Sequence, residues 1–368
     1  MRVLITADAQ PGALSYGLDL ATGLSRLGVE TVLALTGSHF TEAQRGESKS
    51  IALLEVVETG LSVGGQSDRA TIREAASVLA DLATQRSVDI VQLNLPSLAA
   101  GVCFGVPVVA AIHNCAATWW ESVYGTELPP DFAWRTELMR AGLEAADIVI
   151  SPTSAFAAAT RRAYGLEELP RVVHYGHAPL PTALYAPHDL VFTAGQLWDA
   201  GKNLDTLDAA ARQIPVPIHA AGPLSGPNGA AVMVDNIHCL GNLGETELAR
   251  WLSARPVFVS TALYEPFGLA VLEAASAGCP LILSDIPTFR ELWDEVAIFV
   301  PPRDEAGFTR AIANLVGDDF ERAVIGRAAK ERAALYTPDI MASQMATIYR
   351  SLLPAVPRPV LAAARAAA

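Results

Sequence analysis

Two hydrophobic periods alternate along the chain. "RVLITAD" (2–8) is a continuous apolar run, as in a buried strand. "SYGLDLATGLSRLG" (15–28) repeats its apolar residues every three to four positions and stops at Gly28, which predicts an amphipathic helix. "VETVLAL" (29–35) is again a strand, and a parallel strand–helix–strand unit crosses over right-handed and opens a doubly wound sheet. The pattern continues with strand 51–57, helix 68–84, strands 89–94 and 107–112, helix 131–145 and strand 147–151. The Pro-marked "HAPLPTALYAPHD" (177–189) reads as a linker. Beyond it the alternation restarts with strand 189–194, helix 203–213, strands 216–221 and 236–240 and helix 245–252, then strand 256–260, helix 268–277, strand 280–284 and helix 304–316.

Two alternating halves joined by a linker predict an α/β protein of two Rossmann-like doubly wound domains facing a cleft, with ligands at the carboxyl ends of the strands. The expected boundaries are 1–186 and 187–336. A last amphipathic helix, 337–353, is expected to cross back to the first domain, followed by a compositionally simple tail, 354–368. A length of 368 residues suits two domains of common size.

Charge narrows the partners. A formal net charge of -13 argues against nucleic acid, whose binding needs basic stripes to displace counterions. Cys103, Cys115, Cys239 and Cys279 are scattered without paired spacing, as thiols of a reducing compartment are. The longest uncharged run, Ile90 to Ile112, is broken by Pro96 and Pro107 and carries Gln92 and Asn94, so it reads as two buried strands around a short helix rather than a membrane span. The N-terminus has no signal-peptide pattern. The expectation is a cytoplasmic protein, with peripheral contact at the inner face of a membrane left open.

Several stretches carry candidate chemistry. "GLSVG" (60–64) matches the serine-nucleophile elbow around Ser62, but that elbow needs a strand turning straight into a helix, and here the helix is expected only from an Asp68 cap. His113 and Cys115, and His174 and His177, have the spacing of metal-ligand pairs without the partners a site requires, so no metal is expected. His113 ends an apolar strand at the edge where active sites form. Gly12 sits at a strand-to-helix junction that lacks a dinucleotide fingerprint yet can receive an anion or a sugar. In "AGQLWDAGKNLDTLDAA" (194–210), Lys202 beside a helix start joins a full charge to unsatisfied N–H groups, which suits a phosphate. In "YEPFGLAVLE" (264–273), Glu265 and Glu273 flank an apolar turn that no cation relieves between Ser260 and Arg290. Pro266 and Gly268 start a helix there, so the N–H groups of Phe267, Gly268 and Leu269 open into the space the acids flank.

These stretches resemble the retaining glycosyltransferase family 4, whose members have the two-domain GT-B fold. Glu265 to Glu273 match its E-x7-E motif, "GQLWDAGKN" its phosphate loop and "VVHYGH" its I-x-N-G-V segment. The resemblance implies that Glu273 holds the ribose hydroxyls of a sugar nucleotide and Glu265 the hydroxyls of the transferred hexose. It implies that Phe267, Gly268 and Leu269 support sugar and phosphate through their amides, and that Lys202 neutralises the diphosphate. Gly12 would approach the diphosphate from the opposite domain, His113 would lie near the donor sugar, and Leu240, Gly241 and Asn242 would touch the base. The implied reaction is metal-independent transfer from a UDP- or GDP-linked donor, acting as co-substrate and not cofactor, to a glycan or glycolipid acceptor in cell-surface polysaccharide synthesis. Gln196 stands where the family has a diphosphate-pairing Arg, Tyr175 replaces the Asn of N-G, and the first loop has one glycine. These departures bear on donor affinity and keep a second reading open, a member that binds sugar nucleotide or partner without turnover; a serine hydrolase on Ser62 is a third.

Overall fold

The computed structural model describes residues 1–9, 11–37, 40–64, 67–126, 128–181 and 190–354. The linker's central part, with the expected 186/187 boundary, and the tail from 355 lie outside the described residues.

The first half alternates β1 (Arg2–Asp8), α1 (Pro11–Arg26), β2 (Glu30–Thr36), α2 (Glu42–Ser50), β3 (Leu54–Glu58), α3 (Arg69–Gln85) and β4 (Ile90–Leu93). It goes on with β5 (Val108–Ala111), α4 (Ala116–Tyr124), α5 (Ala133–Ala145), β6 (Ile148–Ser151), α6 (Ser154–Tyr164) and β7 (Arg171–Val172). All seven strands pair in parallel, in the order β3-β2-β1-β4-β5-β6-β7. Strands buried on both faces are nearly continuous in apolar residues, as β1 and β5 are, and the one polar side chain of β4, Gln92, is buried with hydrogen-bond partners of its own. The uncharged run 90–112 folds into β4, a 3-10 turn (Pro96–Ala99) and β5.

The second half contains β8 (Val191–Ala194), α7 (Leu204–Ala211), β9 (Ile218–Ala221), β10 (His238–Gly241), α8 (Glu245–Ser253), β11 (Val257–Ser260) and α9 (Leu269–Ala277). After these come β12 (Leu281–Ser284), α10 (Pro287–Trp293), β13 (Ile298–Val300), α11 (Glu305–Val316), α12 (Asp319–Ala333) and α13 (Pro338–Leu352). The sheet order is β10-β9-β8-β11-β12-β13, again parallel. The order in which successive strands are added reverses once in each sheet, between β1 and β4 and between β8 and β11. Loops leaving strands at such a reversal diverge and leave a crevice, so these points locate the site before any side chain is considered.

The structure departs from the sequence expectation in local detail. Strand 51–57 is shortened to β3 because α2, capped by a reciprocal Thr41–Gln44 box, runs to Ser50. Helices α2, α4, α6, α10 and α12 and strands β7 and β13 went unpredicted. α10 has only seven residues, too few to show a period, and α4 is aromatic-rich with no side-chain cap.

α13 belongs to the first domain's core, where Met341, Ala342, Met345, Ala346 and Tyr349 pack with Leu14, Leu20 and Leu24. The chain therefore crosses between domains twice, at 174–177 and at 336–338, and the crossings touch. His177 N donates to Tyr336 O (3.1 Å), and a Cβ on Gly176 would fall 2.0 Å from Thr337 O. That approach accounts for the glycine of "HYGH". Gly23 does the same for α1 and α13, since a Cβ there would lie 2.5 Å from Pro338 O.

On an open helix surface Gly→Ala stabilises by about 1 kcal/mol. Gly23→Ala is expected to do the opposite, prising α13 from α1 and lowering the thermal midpoint; a midpoint at or above wild type would show that the two helices do not pack this closely.

Candidate active site

The loop leaving β8 carries Gly195 and Gln196 and then one 3-10 turn, Ala200–Lys202. Asp199 caps that turn, accepting at Oδ1 from Gly201 N (2.8 Å) and from Trp119 Nε1 of α4 in the other domain (2.8 Å). The position of Lys202 is thus set from across the cleft. Next to it Asn203 adopts a left-handed conformation (φ 53°) and donates to Thr261 O (2.9 Å) and Pro302 O (2.7 Å), while Thr261 Oγ1 donates back to Asn203 O (2.9 Å). The "KN" dipeptide clamps the loop after β8 to the loop after β11, the two loops of the reversal. Across this clamp the Lys202 ammonium pairs with the Glu265 carboxylate. Gln196 turns its amide oxygen to Trp198 Nε1 (2.9 Å), so what it retains for a ligand is its NH2 group.

The loop after β11 reaches into the first domain. Tyr264 OH accepts from Cys115 N (3.1 Å) and meets Thr118 Oγ1 (3.1 Å), and Thr153 Oγ1 donates to Pro266 O (3.0 Å). Phe267 is fully buried, its ring 4.8 Å from that of Tyr175. Gly268 (φ 93°) is the N-cap of α9, and Leu269 is its first residue. Glu273, one turn further along, faces His177 across the cleft, with Oε1 3.4 Å from His177 Nε2; that is ion-pair distance, though out of line for a hydrogen bond. The other ring nitrogen of His177 lies 2.5 Å from Asp19 Oδ2 of α1.

Asp19–His177–Glu273 is therefore a bridge of alternating charge between the domains. Burial opposes the His177 charge, but the hydrogen bond to Asp19 and the charges of Asp19 and Glu273 outweigh it and push its pKa up to about 10. Glu47 of α2 senses the same cluster: burial, then the charges of Glu245 on α8 and of Asp19, raise its pKa.

On the first domain's side, Gly12 occupies the exposed first turn of α1 after β1, and a Cβ there would meet nothing within 4 Å. His113 follows β5, its ring edge-on to Tyr16 with centroids 4.6 Å apart. Its Nδ1 bonds the Tyr175 hydroxyl, and burial lowers its pKa to about 4, so the ring is neutral at pH 7. Tyr16 is held in turn by a buried chain: Gln92 Nε2 donates to Tyr16 OH (3.1 Å) and Tyr349 OH to Gln92 Oε1 (2.5 Å). A cavity of about 400 Å3, lined among others by Asp8, Asn94, His113, Asn114, Trp134 and Arg135, opens at the carboxyl ends of β1, β4 and β5. In the second domain Leu240 and Gly241 end β10, and Asn242 follows, exposed; Gly241 O accepts from Gly222 N (2.8 Å) at the end of β9.

Lys202, Glu265, Phe267, Gly268, Leu269 and Glu273 thus share the reversal of the second sheet, and Gly12 and His113 belong to the facing reversal of the first. The two histidine spacings dissolve into other contacts. His113 bonds Tyr175, Cys115 Sγ meets Thr118 Oγ1 (2.8 Å), His174 Nε2 lies 3.3 Å from Glu291, and His177 joins the bridge. Ser62 lies in a loop, and α3 starts only at Arg69 behind its Asp68 cap, so no nucleophile elbow forms. The sequence reading missed Asp19, Tyr264 and Glu291. Glu291 of α10 accepts from Ser154 N (2.7 Å) and Ala155 N (2.8 Å), capping the first turn of α6 in the other domain. Asp19 alone left a trace, as the one acid on the apolar face of "SYGLDLATGL".

Residues 12–178 match the family model Glycosyltransferase Family 4, and residues 187–318 match Glycosyl transferases group 1. The glycogen synthase of Mycobacterium tuberculosis (strain CDC 1551 / Oshkosh) is 37% identical over 95 residues, 25% of this chain and 23% of that protein. The phosphatidyl-myo-inositol mannosyltransferase of Mycobacterium leprae is 29% identical over 126 residues, 33% of this chain and 34% of that protein. The chain thus spans about a quarter to a third of the length of these relatives. Among solved structures, Anabaena HepE in complex with UDP-glucose superposes with a TM-score of 0.72 at 18% identity, covering 96% of this chain and 100% of that one. The fold is GT-B.

The bridge yields a pH prediction. A histidine whose folded pKa is raised from 6.5 to about 10 adds stability that is fully present below pH 6.5 and lost as pH rises towards 10. Denaturant midpoints from pH 6 to 10 are expected to fall in wild type and to fall less in His177→Gln, which starts roughly 1.5–3 kcal/mol less stable. Parallel curves for the two proteins would remove the charge from His177.

Proposed function

We propose, for a chain that belongs to the glycosyltransferases, with a first domain of Glycosyltransferase Family 4 and a second of Glycosyl transferases group 1, that it transfers a hexose from a nucleotide-sugar donor to a glycan or glycolipid acceptor with retention of configuration and without a metal ion. The single observation that carries this reading is the convergence of Lys202, Glu265, the start of α9 and Glu273 on one sheet reversal. A nucleotide sugar needs that set: a cation and helix N–H groups for its diphosphate, and carboxylates for its hydroxyls. The HepE complex with UDP-glucose supports a nucleotide-linked donor, and the mannosyltransferase named for phosphatidyl-myo-inositol supports a lipid-linked acceptor.

In this reading Glu273 takes the ribose hydroxyls, Glu265 the hexose hydroxyls, and the turn Leu240–Asn242 the base. Lys202, paired with Glu265 in the structure, shares its charge with the arriving diphosphate. The amides of Phe267, Gly268 and Leu269 add donors, and Gly12 lets the first turn of α1 come close from the other side. The leaving diphosphate itself accepts the proton of the incoming hydroxyl, so the protein's task is to stabilise developing charge rather than to supply a base. Donor contacts from both domains hold the cleft shut against water. The acceptor lies in the cavity beside His113 and Asn94. The reaction belongs in the cytoplasm, and a lipid-linked acceptor would bring the protein to the inner face of the membrane. Among the described residues no helix is long and apolar enough to cross one.

One observation favours a second reading, binding without turnover. Gln196 brings no charge to the diphosphate, and its oxygen is already used by Trp198.

Donor hydrolysis and transfer assays test the proposal. Glu273→Gln is expected to weaken donor binding and Glu265→Gln to slow transfer, each by one to two decades for a lost charge-assisted bond of roughly 1.5–3 kcal/mol. Because Glu273→Gln also breaks the bridge to His177, its affinity is read at a temperature where both proteins are folded. Wild-type affinity and turnover in both variants would refute the assignment. Full activity is expected after exhaustive chelation; loss in EDTA that manganese or magnesium restores would overturn the metal-independent mechanism.

A further inference from the structure

Tyr175 stands where the family pattern has a small amide, and the structure gives the larger residue a place. Its ring lies 4.9 Å from that of Tyr16, 5.5 Å from that of His113 and 4.8 Å from that of Phe267, so it fills the seam between the domains with aromatic surface on both sides. Among the described residues the one hydrogen-bond partner of its hydroxyl is His113 Nδ1. The opposite nitrogen of that imidazole, Nε2, is buried and has no partner, although His113 lines the cavity of the first domain.

Relative donor and acceptor strength sets the direction of the bond. Burial raises the Tyr175 phenol well above its ordinary range and lowers His113 to about 4, so at neutral pH the pair shares one O–H and one N–H. Either direction leaves one donor and one acceptor of the pair unused. A phenol O–H is a stronger donor than a neutral imidazole N–H, and a bare imidazole nitrogen is a stronger acceptor than a phenol oxygen, so the phenol donates to Nδ1. The group then left without a partner on the imidazole is the Nε2–H donor.

We propose that Tyr175 is a positioning residue that fixes His113 in the Nε2–H tautomer, so that His113 serves the reaction as a hydrogen-bond donor to a substrate oxygen and not as a base. A buried donor left unpaired is costly, and a substrate oxygen arriving at the seam removes that cost. The substrate half of this inference rests on the transfer reading above; the tautomer half does not. No proton leaves His113 at any step. This agrees with a leaving diphosphate that takes the acceptor's proton itself.

Histidine-selective 15N labelling tests both halves, with His113 assigned as the resonance lost in His113→Gln. In wild type Nε2 is expected to be protonated and Nδ1 bare, and in Tyr175→Phe, which keeps the ring, the two tautomers are expected to mix. The same variant should lower kcat about tenfold, the equivalent of one hydrogen bond, with KM nearly unchanged. A protonated Nδ1 in wild type, or identical populations in Tyr175→Phe, would overturn the tautomer assignment. Should Tyr175→Phe fail to fold, the wild-type spectrum still decides the tautomer. UDP-glucose and GDP-mannose, titrated separately, should shift the Nε2–H resonance in at least one case. The expected tautomer with no response to either, and no turnover, would remove the substrate half and the transfer reading while leaving the Tyr175–His113 bond as assigned.

Discussion

The imidazolium of His177, held between Asp19 and Glu273, is the interaction on which the geometry of the cleft depends. The three side chains come from α1, from the interdomain crossing and from α9, so the bridge fixes the two sheet reversals against each other. Side-chain exposures of 14% for His177, 12% for Asp19 and 20% for Glu273 place the charges mostly out of water. At that burial a lone charge is expensive and an alternating row of three is tolerable, so none of the three can leave without stranding the others. Glu273 thereby has two roles: it joins the domains in the structure, and it is the acceptor proposed for the ribose. On that proposal one carboxylate couples donor binding to the domain arrangement.

Weaker contacts follow the same logic of reaching across. Trp119 orients the loop of Lys202, Tyr264 enters the first domain behind α4, and Glu291 caps α6. Each is a polar group satisfied by the opposite domain, which gives a seam that can be specific without being a continuous apolar core. The aromatic column of Tyr16, His113, Tyr175 and Phe267 fills the space between these contacts and keeps the His113 imidazole neutral.

Much of this was legible in the sequence because parallel strands buried on both faces announce themselves as apolar runs, and Gly28 and Gly278 mark helix ends. The grouping of Lys202, Glu265 and Glu273 was legible from loops that leave strands. The seam was not. Asp19 pairs with a residue 158 positions away and Glu291 with backbone 137 positions away, and no local period encodes such a separation. Tyr175 looked like a departure from the family pattern, since its partners Tyr16, His113 and Phe267 become neighbours only once both domains have folded and docked. The short helices α4 and α10 were invisible for a different reason: tertiary packing, not propensity or length, holds a helix of nine or seven residues.

The central claim is that the reversal of the second sheet is a nucleotide-sugar site. Thermal-shift titration of the full chain with UDP-glucose, GDP-mannose, the free nucleotides and the free hexoses tests it most directly, since only a ligand of the folded state raises the midpoint. The account predicts a saturable rise with one sugar nucleotide, a smaller rise with its nucleotide and none with the hexose, the response being blunted in Glu273→Gln. No rise with any nucleotide, or an equal rise in wild type and Glu273→Gln, would contradict it.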